Sequence, residues 1–185
     1  MKFLRYKKTT EEKIKEATFY LLAEKGYKDL TMRDVAKRAD AAVGQLTYYY
    51  RTKENLILSV IEELFNACTE QLKKKVNNSE DKIMAIFNFY EEFFKVEQEG
   101  AKVLVNFMTE SLWDPKLKTV FNKFGNETRM ILEEAYKSRG ENEKDAQTKA
   151  GFFISSVYGI ISQNLLLPIE SANVIGEYKK FLLSI

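Results

Sequence analysis

The stretch 31–53, TMRDVAKRADAAVGQLTYYYRTK, contains two short helical patterns separated by a tight break. Thr31 and Asp34 form a helix-start signal, because a threonine hydroxyl accepts a hydrogen bond from the backbone N–H three residues later. An apolar face at helical spacing follows and ends at Ala39. Asp40 marks the break, since aspartate tolerates turn and left-handed geometry.

The second pattern has apolar residues on one side and hydrogen-bonding tips on the other. Val43, Leu46 and Tyr50 recur about one turn apart, so they share a face. The other face carries polar tips, at Gln45, Thr47, Tyr48 and Tyr49. Two short helices that meet at a tight turn, the second with a polar outer face, predict a helix-turn-helix. Its second helix fits the DNA major groove.

A third helix is predicted to begin at Thr52, with Arg51 and Lys53 beside its start. Cations at that end oppose the helix dipole. The placement becomes favourable when a phosphate docks on the helix N-terminus, because backbone N–H groups and a basic side chain then converge on one anion. The pattern therefore indicates DNA binding.

These blocks resemble the DNA-binding domain of the tetracycline-repressor (TetR) family. The resemblance covers residues 9–56 without a gap, from TTEEKIKEATFYLLAEKGYKDLT ahead of the motif to TYYYRTKENL at its close. At four positions the chain departs from the usual family residue: Asp40 replaces Gly, Ala42 replaces Ser or Thr, Thr47 replaces Tyr, and Tyr50 replaces Phe. Ala42 thus leaves the recognition helix without its usual cap.

The resemblance implies an all-α fold of about nine helices. Residues 1–53 would form a three-helix DNA-binding domain with a basic arm at 1–8. Residues 54–185 would form a larger helical bundle for effector binding and dimerisation. The arm would contact backbone phosphates or the adjacent minor groove, or would remain a solvated tail.

Charge is unevenly distributed along the chain. Residues 1–56 hold 13 Lys and Arg against 8 Asp and Glu, while the rest holds 16 of the 29 basic and 19 of the 27 acidic residues. A basic head suits a polyanion, although the same excess fits a solvated face.

Cys68 is the only cysteine and there is no histidine. Both observations fit a cytoplasmic protein without a disulfide, a His-based triad or a typical zinc site. The basic start lacks the apolar core of a signal peptide.

Further helices are predicted along the rest of the chain. A long helix runs from Glu54 to about Val76, with Cys68 on its inner face as a small buried hydrophobe. Ser79 is expected to cap the next helix, which is apolar on nearly all sides, and Gly100 to break it. Asp114 and Pro115 signal another helix start. The uncharged run 150–167 is too diluted by polar residues for a membrane span.

The two C-terminal helices are expected to form a four-helix interface with a second copy. Ser155, Gly159 and Ser162 are small residues at helical spacing, which let another helix approach closely. The predicted interface residues are Phe153, Val157, Ile160, Ile161, Val174, Tyr178, Phe181 and Leu182. The resemblance implies the same mode of dimerisation. A dimer would present two recognition helices about 34–36 Å apart to a palindromic operator in double-stranded DNA.

Roles on DNA follow from side-chain chemistry. Gln45 and Thr47 are assigned to base edges, because glutamine bonds adenine bidentately and threonine offers a hydroxyl and a methyl group to thymine. Ala42 and Val43 would touch thymine methyl groups. Phosphate contacts are assigned to Thr31, Arg33, Tyr48, Tyr49 and Lys53. The alternative for Tyr49 and Tyr50 is packing against the first helix, which we expect for Tyr50.

The resemblance places an effector pocket among the helices of the body. The candidate lining residues are Tyr90, Phe94, Phe107, Met108, Glu110, Trp113, Phe121 and Phe124. Aromatic residues at helical spacing are more often core than pocket. Glu110 would hold a cationic lipophile among aromatic rings, or would face water.

No catalytic constellation, cofactor motif or metal-ligand cluster is visible, so an enzyme is not expected. The sequence predicts a dimeric DNA-binding regulator, most simply a repressor released from its operator by a small apolar or aromatic effector. The alternative is a helical carrier or scavenger of small molecules that does not bind DNA.

Overall fold

A computed structural model describes residues 9–96, 98–167 and 171–184. The side chains of 94–96, 171–173, 175 and 182–184 are not included in this description. Within these ranges the chain forms helices and no strand, which confirms the all-α prediction. The helices are α1 (Thr10–Asp29), α2 (Met32–Ala39), α3 (Val43–Tyr50), α4 (Lys53–Asn77), α5 (Lys82–Val96), α6 (Gln98–Glu110), α7 (Pro115–Lys137), α8 (Glu143–Leu166) and α9 (Ser171–Ser184). The proposed arm 1–8 lies outside the described residues.

The chain divides into two compact units, the first ending at Leu64 and the second beginning at Phe65. The division falls inside α4. In the first unit, α1 packs on α2 and α2 on α3. Fully buried aliphatic side chains on successive helices form its core, among them Ile14, Val35, Leu46 and Ile57.

Local signals at the ends of α1 match the sequence. The Thr9 hydroxyl accepts from the Glu12 N–H at 3.2 Å, and the Glu12 carboxylate accepts from the Thr9 N–H at 2.7 Å. This reciprocal pair is the predicted capping box. Gly26 has φ 78° and ψ −178°, a conformation that essentially only glycine adopts, and it interrupts α1 three residues before its end.

The second unit is a bundle in which α7 and α8 form the most extensive pair. Its core contains an aromatic cluster: the Phe65 ring stacks on Phe124 at a centroid distance of 4.1 Å and meets the Phe107 ring edge-on at 5.6 Å. Phe121 lies beside the same ring at 6.5 Å. These aromatic side chains are therefore packed against one another.

The predicted start of α5 at Ser79 is wrong. Its cap is Asp81, whose Oδ1 accepts from the Met84 N–H at 3.0 Å. The Ser79 hydroxyl instead donates to the Asp81 carbonyl at 2.9 Å. A carboxylate is favoured at this end by the helix dipole, and Asp81 also receives two hydrogen bonds from the Arg139 guanidinium at 2.7 and 2.8 Å.

The predicted break at Gly100 is also wrong, because Gly100 lies buried inside α6. Glycine costs about 1 kcal/mol relative to alanine within a helix. Burial of the neighbouring apolar face, at Ala101, Val103, Leu104 and Phe107, outweighs that cost.

None of the helices within the described ranges is long and apolar enough to cross a membrane.

Half of the predicted dimer interface lies inside the protomer. Phe153, Val157, Ile160 and Ile161 are 1–8% exposed in the single chain, so they have almost no surface to offer a second copy. Their face of α8 packs within the bundle, where the Phe153 ring lies 5.1 Å from Phe87. Tyr178 also packs inward, its ring 6.0 Å from Phe153. Val174 and Phe181 are exposed, whereas the Leu182 side chain is outside the described set.

Candidate nucleic-acid interface

The turn between α2 and α3 is held by backbone geometry. The Thr31 hydroxyl caps α2 by accepting from the Asp34 N–H at 3.1 Å and donates to the Asp34 carboxylate at 2.9 Å. Asp40 ends α2 in the left-handed conformation, at φ 52° and ψ 51°. The Ala41 N–H then bonds the Ala36 carbonyl at 3.0 Å. Aspartate therefore adopts a left-handed turn conformation that glycine supplies more often.

The faces of α3 separate as the sequence predicts. Leu46 is fully buried and Tyr50 is 8% exposed, whereas Tyr48 is 84% exposed and Tyr49 is 45% exposed. The remaining exposed positions are Ala42, Val43, Gly44, Gln45 and Thr47. The Thr47 hydroxyl donates to the Val43 carbonyl at 3.1 Å, which leaves its methyl group and its oxygen lone pairs for a partner.

The Gln45 side chain also caps the start of its own helix. Ala42, at the N-cap position of α3, has no side chain that can cap the helix. The Gln45 side chain reaches back instead, and its Oε1 accepts from the Ala42 N–H at 2.9 Å. This contact is half of a capping box, with the glutamine at the third helical position. The contact was not predicted from the sequence, although Ala42 followed three residues later by Gln45 carries its signal.

Lys53 binds oxygen atoms of its own chain. Its Nζ donates to the carbonyls of Tyr27 and Lys28 at 3.3 and 3.2 Å, and it lies 5.5 Å from the centroid of the Tyr27 ring. The interruption at Gly26 leaves these carbonyls at the end of α1 near the start of α4. The side chain predicted to hold a phosphate therefore ties two helices together, and Thr52 caps α4 by accepting from the Asn55 N–H at 3.2 Å.

Tyr50 is packed in the core, as predicted. Its hydroxyl has no hydrogen-bond partner within normal geometry. Burial, followed by the nearby charge of Glu11, raises the pKa of Tyr50 to about 12. Lys15, whose charge acts on the same hydroxyl, pairs with Glu63 at 2.8 Å and with Glu11 at 3.3 Å. The charges of this ion-pair group therefore act on Tyr50.

Several cations beside the helix-turn-helix are paired. Arg38 places its guanidinium 2.7 Å from the Glu24 carboxylate and 5.3 Å from the Tyr20 ring centroid. Lys25 lies 3.2 Å from Asp34. The Thr31 hydroxyl, followed by Lys25, lowers the pKa of Asp34 below its usual value. Thr31 and Arg33 are exposed, as a phosphate contact requires.

The second unit contains a small, partly open cavity of ≈ 20 Å³, a volume that would fit about one water molecule. Its lining is apolar apart from two phenols, one hydroxyl and one thiol, and none of its side chains carries a charge at neutral pH. The lining residues are Cys68, Tyr90, Phe93, Leu104, Phe124, Thr128, Ile154, Val157, Tyr158 and Ile161. Burial raises the pKa of Tyr90 well above its usual value and that of Tyr158 to about 12, so both phenols stay neutral.

Only part of the predicted pocket meets this cavity. Tyr90 and Phe124 line it, whereas Phe107 and Phe121 belong to the aromatic cluster around Phe65. Trp113 is 80% exposed, and Met108 and Glu110 are half-buried outside the lining. The Phe94 side chain is outside the described set. The sequence missed the α8 residues of the lining, because it shows which residues are apolar but not which helices meet.

Comparisons with known proteins show which proteins this chain resembles. Residues 14–60 match the family model of bacterial regulatory proteins of the tetR family. Over 163 residues the chain is 24% identical to the HTH-type transcriptional regulator CymR of Pseudomonas putida, covering 84% of this chain and 79% of that protein. It is 40% identical over 58 residues to the HTH-type transcriptional repressor KstR of Rhodococcus jostii, covering 31% of this chain and 27% of that protein.

The fold is shared along the chain. The fatty acid degradation regulator FadR from Bacillus halodurans superposes with a TM-score of 0.79 at 17% identity and 97% coverage of both chains. A TetR transcriptional regulator from Legionella pneumophila gives a TM-score of 0.77 at 19% identity, covering 95% of this chain and 99% of that one. The family model and the sequence relatives are those of transcriptional regulators and not of enzymes, in agreement with the prediction. Residues 14–60 therefore match the DNA-binding part of the tetR family, and the comparisons together support a TetR-family transcriptional regulator.

Proposed function

We propose that this protein is a cytoplasmic, homodimeric repressor whose operator binding is released by a small apolar or aromatic effector. The observation that carries the proposal is the outer face of α3. Its exposed tips, at Gln45, Thr47, Tyr48 and Tyr49, stand on a helix whose inner side is fixed in the core by Leu46 and Tyr50. A rigid helix with polar tips suits the major groove, and the carrier alternative gives this face no role.

The cavity in the second unit supports the effector part of the proposal. At ≈ 20 Å³ it is too small for an organic ligand, so lining side chains must move before one binds. Such a ligand binds the opened state better than the closed state, and it therefore shifts the equilibrium between them. The uncharged lining favours a neutral molecule, because a buried charge without a partner is costly. We infer that opening the cavity lowers operator affinity.

Dimerisation is proposed through the outer faces of α8 and α9. Phe152 is 46% exposed and Phe181 is 52% exposed, and their rings lie 6.3 Å apart. Ser155 and Gly159 are exposed along the same side of α8, and a Cβ added at Gly159 would meet nothing within 4 Å. Small residues beside exposed apolar ones suit the close approach of a second copy.

The proposal is tested by fluorescence anisotropy on DNA from upstream of the protein's own gene, across a salt series and with unrelated competitor DNA. We expect competitor-resistant binding whose logarithm falls linearly with the logarithm of salt concentration. Tyr48→Ala should weaken binding by roughly tenfold, since a phosphate hydrogen bond is charge-assisted. Trp113→Ala is the control, because Trp113 is a similarly exposed aromatic residue in the second unit.

Weak binding that is equal on both DNAs, and equal for both variants, would instead support the carrier. The effector is sought in the same assay with saturating small neutral aromatic compounds. A compound that raises the melting temperature should also lower operator affinity. Compounds that bind without changing DNA affinity would contradict ligand-controlled repression.

A further inference from the structure

We propose that Gln45 reads the operator as a hydrogen-bond donor only, and that it therefore selects guanine rather than adenine. This inference rests on the proposed function, since it assumes that α3 enters the major groove. It reverses the adenine contact that the residue type alone suggests. The reason lies in the contact between Gln45 and the start of its own helix.

The amide of Gln45 is oriented by the Ala42 N–H. That N–H lies 2.9 Å from Oε1. An N–H group can donate only to an acceptor, so the oxygen and not the nitrogen of the amide must face Ala42. The alanine side chain offers the helix start no cap of its own. The orientation of the Gln45 amide is therefore set by the Ala42 N–H at the start of α3, before any DNA is present.

With Oε1 directed at Ala42, Nε2 is the end of the amide that is available to a partner. Gln45 is exposed, as are Gly44 before it and Tyr48 one turn later. A Cβ added at Gly44 would meet nothing within 4 Å, so that position leaves open space beside the glutamine. The side chain thus presents two N–H donors from an exposed face of α3.

Base chemistry then separates the four bases. A bidentate contact with adenine needs an acceptor for N6–H₂ and a donor for N7 together, which means both ends of the glutamine amide. Guanine presents two neighbouring acceptors, O6 and N7, and both can be served by the two N–H groups of Nε2. Thymine offers O4 alone, and cytosine offers a donor in this groove. Donor-only readout therefore favours guanine.

The cap itself is tested first, on the free protein. In Gln45→Ala the Ala42 amide loses its acceptor, so its hydrogen exchange should accelerate several-fold compared with the wild type. Gln45→Glu keeps an oxygen at the same reach and should retain the protection. Equal exchange in the wild type and Gln45→Ala would overturn the inference, because Oε1 would then be free for DNA.

Base preference is tested by in vitro selection from a randomised duplex library with the full chain. Comparison of the wild type with Gln45→Ala identifies the base position that Gln45 reads, and we expect guanine there. Replacing that guanine by 7-deazaguanine removes N7 and should weaken wild-type binding at least about fivefold, while leaving Gln45→Ala unaffected. Gln45→Glu, which has no donor, should lose the guanine preference.

Gln147→Glu is the control for the added negative charge, since Gln147 is an exposed glutamine on α8. It should select the same sequence as the wild type. Adenine at the Gln45-dependent position, with affinity lost when its N6 amino group is removed, would overturn donor-only readout while leaving the proposed function intact. A wild-type protein that enriches no sequence would overturn the proposed function, and this inference with it.

Discussion

The hydroxyl of Tyr50 lies buried at the inner end of α3 without a hydrogen-bond partner in normal geometry. A buried polar group left in this way costs about 1–3 kcal/mol. Tyr50→Phe removes the oxygen and keeps the ring. We expect it to raise the free energy of unfolding at pH 7 by up to about 1 kcal/mol, measured by urea denaturation. A loss of stability would show that the hydroxyl makes a stabilising bond to Glu11.

The same residue predicts an alkaline response. Burial raises the pKa of Tyr50 from 10.0 to about 12. Below pH 10 the phenol is neutral in the folded and unfolded chains, so its ionisation takes nothing from the free energy of unfolding. Above pH 10 only the unfolded chain releases the proton, and stability is lost as pH rises towards 12. The advantage of Tyr50→Phe over the wild type should therefore grow between pH 10 and 12.

Gly26 is the residue at which the backbone demands glycine. Its φ of 78° combined with ψ −178° is closed to other residues without strain. Gly26→Ala should lower the free energy of unfolding by about 1–3 kcal/mol, measured by thermal or urea denaturation. Gly44→Ala is the matched control within the same unit, because Gly44 is exposed in α3 with open space around it. That change should be neutral or stabilising by up to about 1 kcal/mol.

At the scale of elements, Asp81 joins the start of α5 to the residues that follow α7. Its bond to the Met84 N–H, followed by the Arg139 guanidinium, lowers the pKa of its carboxyl below the usual 3.8. A lowered pKa means stability that is present above pH 3.8 and lost as pH falls through the folded value. Because the pair is half-exposed, its contribution should stay below about 1 kcal/mol.

Asp81→Asn keeps a capping oxygen and removes the charge. We expect the variant to be less stable than the wild type at pH 7, and the difference to shrink below pH 3.8. Urea denaturation between pH 3 and 7 checks both points. Asp114→Asn is the control, because Asp114 caps α7 through the Lys116 and Leu117 N–H groups and has no arginine partner within the described residues. A constant difference across this pH range would exclude the ion pair as its source.

The elements that the sequence predicted correctly are those fixed by local chemistry. Thr9 with Glu12, Thr31 with Asp34, and Asp114 with Pro115 each signal a helix start through atoms a few residues apart. The start of α5 differs from the prediction at Ser79, because its cap, Asp81, also binds Arg139 across 58 residues, and no local pattern shows that contact. The break predicted at Gly100 is wrong because the burial of this residue in α6 depends on tertiary packing, which the local sequence does not show.

The candidate site shows the same limit at the scale of the whole molecule. The exposed and buried faces of α3 follow from helical spacing alone. The carbonyl partners of Lys53 lie 25 and 26 residues away, so the sequence could not show that this side chain joins the end of α1 to the start of α4. The cavity lining comes from five helices, and spacing within each helix cannot show which of them meet. Local faces were predictable, and the meeting of distant elements was not.

The outer surface of α8 is the part of the molecule where the proposed dimer interface can be tested. The inward face, with Phe153 and Ile161, is buried in the protomer itself, and the proposed interface therefore uses the side that carries Gly159. Gly159→Leu should leave the protomer fold unchanged, because the added Cβ meets nothing within 4 Å. The larger side chain should still hold two α8 helices apart, since small residues are what permit their close approach.

We therefore expect Gly159→Leu to shift the protein towards monomer in analytical ultracentrifugation, with an unchanged circular dichroism spectrum. Gly125→Leu is the matched control, because Gly125 lies in α7 and a Cβ there also meets nothing within 4 Å. Two half-sites on one duplex face are read together only by a dimer, so Gly159→Leu should also weaken operator binding. A dimer that survives this substitution at low concentration would place the interface on another surface of the second unit.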